Sequence, residues 1–130
     1  MNNFEFYNLI NKPDYAPDRS VFKKVWTTLY ILMAISFFLL YIQPLSIAKL
    51  GAVPLFYLQL LLNLLWVPVF FRWKKIKLAF VICIVLLMTV ILMTMLFFRM
   101  SFILGLLQIP YIIWLFIASR LNFDIIRLNP

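Results

Sequence analysis

Four long stretches of the sequence contain no charged side chain, and each is close to the length that crosses the hydrocarbon core of a bilayer. They cover about residues 25–41, 52–71, 78–98 and 102–119. Backbone groups in hydrocarbon must satisfy their own hydrogen bonds, so such segments are helices, whereas barrel strands would show weaker alternation over about ten residues. The sequence therefore predicts an all-α, polytopic transmembrane bundle of four spans.

Composition leaves little room for anything else. Hydrophobic residues make up 66% of the 130 residues and charged residues 12%, whereas a soluble domain carries roughly a quarter charged residues. We therefore expect two parts, a polar N-terminal segment at 1–24 and the bundle at 25–130. The N-terminal segment lacks the short apolar core and cleavage site of a signal peptide, and we predict that it caps the bundle. Pro54 is expected near the first turn of the second span, where a missing N–H is harmless.

The basic residues predict the orientation of the bundle. With four spans, both termini lie on the same side as the loop between the second and third spans. That side carries Lys12, Arg19, Lys23, Lys24, Arg72, Lys74, Lys75, Lys77, Arg120 and Arg127, and the other side carries Lys49 and Arg99. Because positive residues stay in the cytoplasm, we predict cytoplasmic termini if there are four spans, by default in a bacterial inner membrane. The 72–77 cluster favours anionic lipid head groups over a protein-binding patch, and nucleic acid is not an expected partner.

Several classes of function are disfavoured by the residues that are missing. The four acids, Glu5, Asp14, Asp18 and Asp124, lie outside the spans or at an end, so no carboxylate is placed to carry a coupling proton in mid-membrane. Histidine is absent, which removes the commonest metal ligand and general base. We therefore predict no metal site and no acid–base catalytic residues.

Polar and aromatic residues recur at helical spacing inside the spans. Gln59, Asn63 and Trp66 follow at i, i+4 and i+7 and therefore share one face of the second span. A buried amide needs a partner, so the face holds either interhelical hydrogen bonds or a ligand. In the first span, Trp26 and Tyr30 are spaced i, i+4, and in the last span Tyr111, Trp114 and Ala118 are spaced i, i+3 and i+7. Taken alone, such aromatic stripes favour packing over a pocket.

Three motifs in order resemble a known family. They are Tyr7-x4-Lys12-Pro13-x3-Pro17-x4-Phe22-x2-Val25-Trp26-x3-Tyr30, then Gln59-Leu60-x2-Asn63-x2-Trp66-x3-Phe70-Phe71, then Pro110-Tyr111-x2-Trp114-x3-Ala118-x2-Leu121-Asn122. Over nearly the whole chain they resemble the tryptophan-rich sensory protein or translocator protein family (TspO/MBR, the peripheral benzodiazepine receptors). The resemblance implies a five-helix membrane protein, usually a homodimer, that binds porphyrins, sterols and aromatic ligands inside the bundle beneath a closing loop.

Carried over by position, the resemblance implies a set of ligand-binding residues. Tyr7 and Pro17 resemble residues of the closing loop, and Trp26, Tyr30, Asn63, Trp114 and Ala118 resemble residues that line the pocket. Trp66 joins them because it shares the face of Asn63. Flat conjugated ligands stack on indole and phenol rings, and one amide can orient them.

The sequence also departs from the family pattern. Residues 1–24 resemble the loop after the family's first transmembrane helix, so that helix either lies upstream or is absent from a four-helix variant. Ile82 stands where many members carry an acid, Asp18 replaces the second of two prolines, and Phe123 replaces the tyrosine of the sterol pattern, which argues against sterol binding.

We therefore expect a membrane receptor or carrier for tetrapyrroles or similar aromatic molecules. It requires no cofactor, and porphyrin or haem enters as a ligand; without histidine, haem would lack the usual imidazole ligand. One alternative is light-dependent porphyrin breakdown, with Trp26 and Trp114 as the only catalytic candidates. Another is a structural or regulatory membrane protein with a vestigial pocket.

Overall fold

The computed structural model describes residues 19–73 and 75–128. For residues 19, 20, 71 and 72 it describes the backbone only. The helices are α1 (Arg19–Tyr41), α2 (Ile47–Val67), which continues as a π-helical turn (Pro68–Arg72), α3 (Ile76–Met100), the short α4 (Phe102–Leu106) and α5 (Ile109–Leu128). The described residues contain no strand, and the all-α prediction is confirmed.

Within the described residues, four helical stretches are long and apolar enough to cross a membrane. They are Val21–Tyr41, Ile47–Phe70, Ile76–Met100 and Phe102–Leu128, the last of which joins α4 and α5. These stretches extend beyond the apolar runs in the sequence, because long basic side chains near a helix end can reach the interface without ending the helix. The last stretch is an example, because α5 continues past the apolar run through Arg120 and Asp124. There the exposed Arg120 side chain places its Nε atom 3.1 Å from the carboxylate of Asp124.

The turns between helices are fixed by local hydrogen bonds. Ser46 caps α2 by accepting a hydrogen bond from the Lys49 backbone N–H at 3.1 Å, as expected for an N-cap serine. The Lys49 Nζ atom donates to the carbonyl oxygens of Tyr41 and Gln43, at 3.0 and 2.7 Å. The end of α1 is thereby tied to the start of α2.

One local expectation was wrong. Pro54 lies inside α2 and not in its first turn, because the helix already begins at Ile47. The prolyl nitrogen therefore leaves one carbonyl of the preceding turn without its usual intrahelical donor. Pro68 behaves differently, because it starts the π-helical turn, where its own carbonyl accepts from the Trp73 N–H at 2.8 Å.

The bundle is built around α3, which packs between α2 and α5. Large apolar side chains such as Phe38, Leu92 and Phe116 are exposed, whereas Gln59, Asn63 and Gln108 are buried. An outward apolar surface around buried amides is the pattern of a protein whose solvent is lipid. The least buried of the four stretches is α1, which lies at the side of the bundle and forms one wall of the site described next.

Candidate functional site

Four side chains from three helices form a hydrogen-bonded network in the bundle interior. Tyr30 on α1 donates its hydroxyl hydrogen to Asn63 Oδ1 on α2. Asn63 Nδ2 donates to the hydroxyl oxygen of Tyr111 on α5 at 2.8 Å, and this hydroxyl donates in turn to Gln59 Oε1 at 2.8 Å. Asn63 and Gln59 are both 0% exposed. The amide face predicted on the second span is therefore buried, and interhelical hydrogen bonds occupy it.

Next to this network, five aromatic rings from α1, α2 and α5 meet. The ring of Trp26 lies between those of Trp66 and Trp114, with centroids 6.3 and 6.2 Å away. Tyr30 is 5.9 Å from Trp26 along α1, and Phe22 packs edge-on against Trp114 at 5.5 Å. Distances of this size are typical of favourable aromatic pairs. We call Trp26, Trp66 and Trp114 the tryptophan cluster.

Two tryptophans of the cluster, Trp66 and Trp114, differ in their polar contacts. Trp66 Nε1 donates to Asn122 Oδ1 at 3.2 Å, and Asn122 Nδ2 donates to the Ile76 carbonyl at 3.0 Å. The Nε1 atom of Trp114 is buried and has no hydrogen-bond partner in the described part of the chain, and neither has Gln59 Nε2. Because buried donors normally find an acceptor, the indole N–H of Trp114 is a donor whose hydrogen-bonding capacity the described residues leave unused.

Grooves run along both sides of α1 beside the tryptophan cluster. The groove between α1 and α5 measures about 460 Å³ and is lined by Lys24, Leu29, Ile113 and Trp114 among others. Two larger grooves lie between α1 and α2. One of about 310 Å³ is lined by Trp26 and Tyr30, and one of about 420 Å³ is lined by Tyr30 and aromatic or aliphatic side chains such as Phe56. These grooves all lie around α1, where an apolar molecule could enter from the lipid.

The structure brings together most of the residues predicted from sequence. Trp26, Tyr30, Asn63, Trp66 and Trp114 form the network and the cluster. Ala118 is buried one turn beyond Trp114 on α5. Tyr7 and Pro17 lie outside the described residues, and so does the loop that would close the site. No group of three histidine, cysteine or acidic side chains that could hold a metal ion occurs within the described ranges.

Three residues of the site are not among the binding residues predicted from the sequence. Tyr111 joins Asn63 to Gln59, Gln59 accepts a hydrogen bond from Tyr111, and Asn122 accepts one from Trp66. The signals were present, because Tyr111 precedes Trp114 by three residues and Gln59 precedes Asn63 by four. Spacing identifies a shared face, but it does not identify which side chain on another helix that face meets.

Comparison with known proteins shows to which protein family the chain belongs. The sequence profile described as the TspO/MBR family matches residues 1–128. The chain belongs to the TspO/MBR family. The resemblance seen in the three motifs is thereby confirmed, and a TspO/MBR protein with four apolar helical stretches is an integral membrane protein.

Individual TspO/MBR relatives cover almost the whole chain. It is 37% identical to the tryptophan-rich sensory protein of Cereibacter sphaeroides, over 96% of this chain and 77% of the relative. It is 41% identical to the tryptophan-rich protein TspO of Chlorobaculum tepidum, over 96% of this chain and 80% of the relative. The human translocator protein is 29% identical over 95% of this chain and 75% of its own length.

Proposed function

We propose that this chain is a membrane receptor or carrier that binds a flat, hydrophobic aromatic molecule of the tetrapyrrole type beside the tryptophan cluster. The observation that carries the proposal is the position of Trp26. Its ring is only partly buried, lines the groove between α1 and α2, and is backed by Trp66 and Trp114. A rigid indole with one side toward a groove offers a stacking surface at little loss of side-chain entropy.

The dimensions and chemistry of the grooves support this class of ligand. The grooves of about 310 and 420 Å³ between α1 and α2 fall within the range of small-molecule sites, roughly 300–1,000 Å³. Their walls are mostly apolar, and Lys23 lies beside Trp26 in the wall of the smaller groove. A porphyrin combines an apolar conjugated ring with carboxylates, so its ring suits the groove and a carboxylate suits the ammonium group of Lys23.

The hydrogen-bonded network favours a supporting role for Asn63. Both ends of its amide are already bonded to tyrosine hydroxyls, so a ligand would have to displace one of them to contact it directly. In the bound state we expect Asn63 to hold Tyr30 in position against the ring of Trp26, 5.9 Å away. Contact with the ligand falls instead to the rings of Trp26 and Tyr30, which line the groove between α1 and α2.

The proposal is tested by titrating the purified protein with protoporphyrin in the dark and following tryptophan fluorescence. We expect saturable quenching, with the dissociation constant raised at least several-fold in Trp26→Ala. Trp73→Ala is the matched control, because Trp73 is exposed after the π-helical turn and belongs to no part of the cluster. Absence of saturable quenching, or equal loss in both variants, would refute the proposal.

The enzymatic alternative, light-dependent porphyrin breakdown, stays a prediction. Illumination of the same samples tests it, because turnover would bleach the porphyrin absorption band in the wild type but not in Trp26→Phe. The cytoplasmic orientation of the termini, the inner-membrane location and the homodimer also stay predictions.

A further inference from the structure

The groove between α1 and α5 has a polar end and an apolar end. The two helices are antiparallel, because Trp26 contacts Trp114 and Ser36 accepts a hydrogen bond from Gln108 Nε2 at 2.7 Å. Lys24 therefore lies at the end where α1 begins and α5 finishes. Beyond it, the groove continues between Leu29 and Ile113 toward the middle of the bundle.

Positive charge dominates the polar end. Lys24 is exposed and has no ion-pair partner within residues 19–73 and 75–128. Thr27 and Thr28 lie one turn further along α1, and together with Lys23 and Lys24 they line a shallow depression beside the groove. The one acid in the described ranges, Asp124, is 3.1 Å from Arg120. An anion is therefore favoured at this end over a neutral or zwitterionic group.

One of the side chains that line the groove carries a buried hydrogen-bond donor without a partner in the described residues. Trp114 lines the groove, is 7% exposed, and its indole N–H has no partner in the described part of the chain. A diacyl phospholipid carries its groups in a matching order: an anionic phosphate, then ester carbonyls that accept hydrogen bonds, then an acyl chain. In the groove this order corresponds to Lys24, Trp114 and the apolar pair Leu29 and Ile113.

We propose that this groove is a binding site for one anionic phospholipid, with its phosphate at Lys24 and one acyl chain between α1 and α5. A free phosphate ion would leave the apolar part of the groove empty, and a zwitterionic lipid would compensate Lys24 less completely. The proposal does not depend on tetrapyrrole binding, because the two ligands occupy different grooves. The phospholipid lies between α1 and α5, whereas the tetrapyrrole lies beside Trp26 between α1 and α2.

Native mass spectrometry of the full chain tests whether the site prefers an anionic head group. The protein is released from nanodiscs that contain equal amounts of phosphatidylglycerol and phosphatidylcholine with identical acyl chains. We expect the wild type to retain phosphatidylglycerol several-fold over phosphatidylcholine. In Lys24→Gln this preference should fall to near one, and Lys24→Arg should keep it. Lys77→Gln is the matched control, because Lys77 is exposed near the start of α3, at the same end of the bundle.

A second pair of variants tests the acyl-chain part. Ile113→Trp adds bulk to the groove wall and should lower retention of both lipids, whereas Val81→Trp adds the same ring to an equally exposed position on α3 and should not. The proposal is overturned if the wild type shows no head-group preference. It is also overturned if Lys77→Gln loses the preference as fully as Lys24→Gln, or if Ile113→Trp retains lipid like the wild type. Dark porphyrin titration of Lys24→Gln reports separately on the proposed function.

Discussion

The hydrogen bond between Tyr30 and Asn63 joins the least buried helix to the rest of the bundle, and its strength can be measured. Tyr30→Phe removes one hydroxyl and this one interhelical bond. Such bonds in membrane proteins average about 0.6 kcal/mol and reach about 1.7 kcal/mol. We therefore expect Tyr30→Phe to lower the free energy of unfolding by about 0.6 kcal/mol.

Asn63→Leu should lower the free energy of unfolding by more. It removes two hydrogen bonds and leaves the Tyr30 hydroxyl without an acceptor in the described part of the chain, while Tyr111 keeps its bond to Gln59. Two lost bonds and one partly buried orphaned hydroxyl amount to about 1–3 kcal/mol. The double variant should be no less stable than Asn63→Leu alone, because the hydroxyl that it removes no longer has a partner.

The assay is reversible unfolding in mixed micelles of increasing sodium dodecyl sulfate, followed by circular dichroism. The control is Tyr57→Phe, because Tyr57 is 56% exposed and no hydrogen bond to its hydroxyl occurs in the described ranges. It should stay within about 0.5 kcal/mol of the wild type. If the effects of Tyr30→Phe and Asn63→Leu add to within about 0.3 kcal/mol, the two residues are energetically independent and the network described here is wrong.

Two further predictions use matched pairs in the same assay. Trp66→Phe and Trp114→Phe remove the same volume, but only Trp66 donates to Asn122, so Trp66→Phe should be the more destabilising by about 0.6–1.7 kcal/mol; equal effects would contradict the hydrogen-bond assignment. A Cβ atom on Gly105 would lie 2.5 Å from the Phe98 ring, whereas one on Gly51 would meet only the Leu96 Cδ1 atom at 3.1 Å. Gly105→Ala should therefore destabilise by about 1–3 kcal/mol and Gly51→Ala should be neutral or stabilising, and a Gly105→Ala protein as stable as the wild type would disprove the close approach.

The number and type of the spans could be predicted because they depend on a property summed over about twenty residues. Their ends could not, because helix ends depend on single side chains. Arg19, Lys23 and Lys24 are polar in sequence, yet they occupy the first turns of α1. A charged side chain near the interface can be solvated while its backbone remains helical. The same reason explains why α5 continues through Arg120 and Asp124.

For the candidate site, the sequence predicted which residues of the second span face the interior of the bundle. The spacing of Gln59, Asn63 and Trp66 predicted one buried face, and all three are buried. The pattern left open whether the amide would bond to another helix or to a ligand. That depends on which side chain of another helix lies at the same depth, and here it is the hydroxyl of Tyr111. Depth and rotation of packed helices are set by the whole interface, so one sequence does not contain them explicitly.

The arrangement of α1 explains why residues that hold this helix in the bundle lie next to the proposed binding grooves. This helix is joined to the others through Tyr30 to Asn63, through Ser36 to Gln108, and through the ring of Trp26. These contacts lie along its inner face, and the grooves lie on the flanks to either side. Since helices in lipid gain little from burying apolar surface against one another, a helix held by a few polar bonds can keep open flanks without separating from the bundle. A more extensively packed α1 would be held more firmly, but it would close the grooves in which both proposed ligands bind.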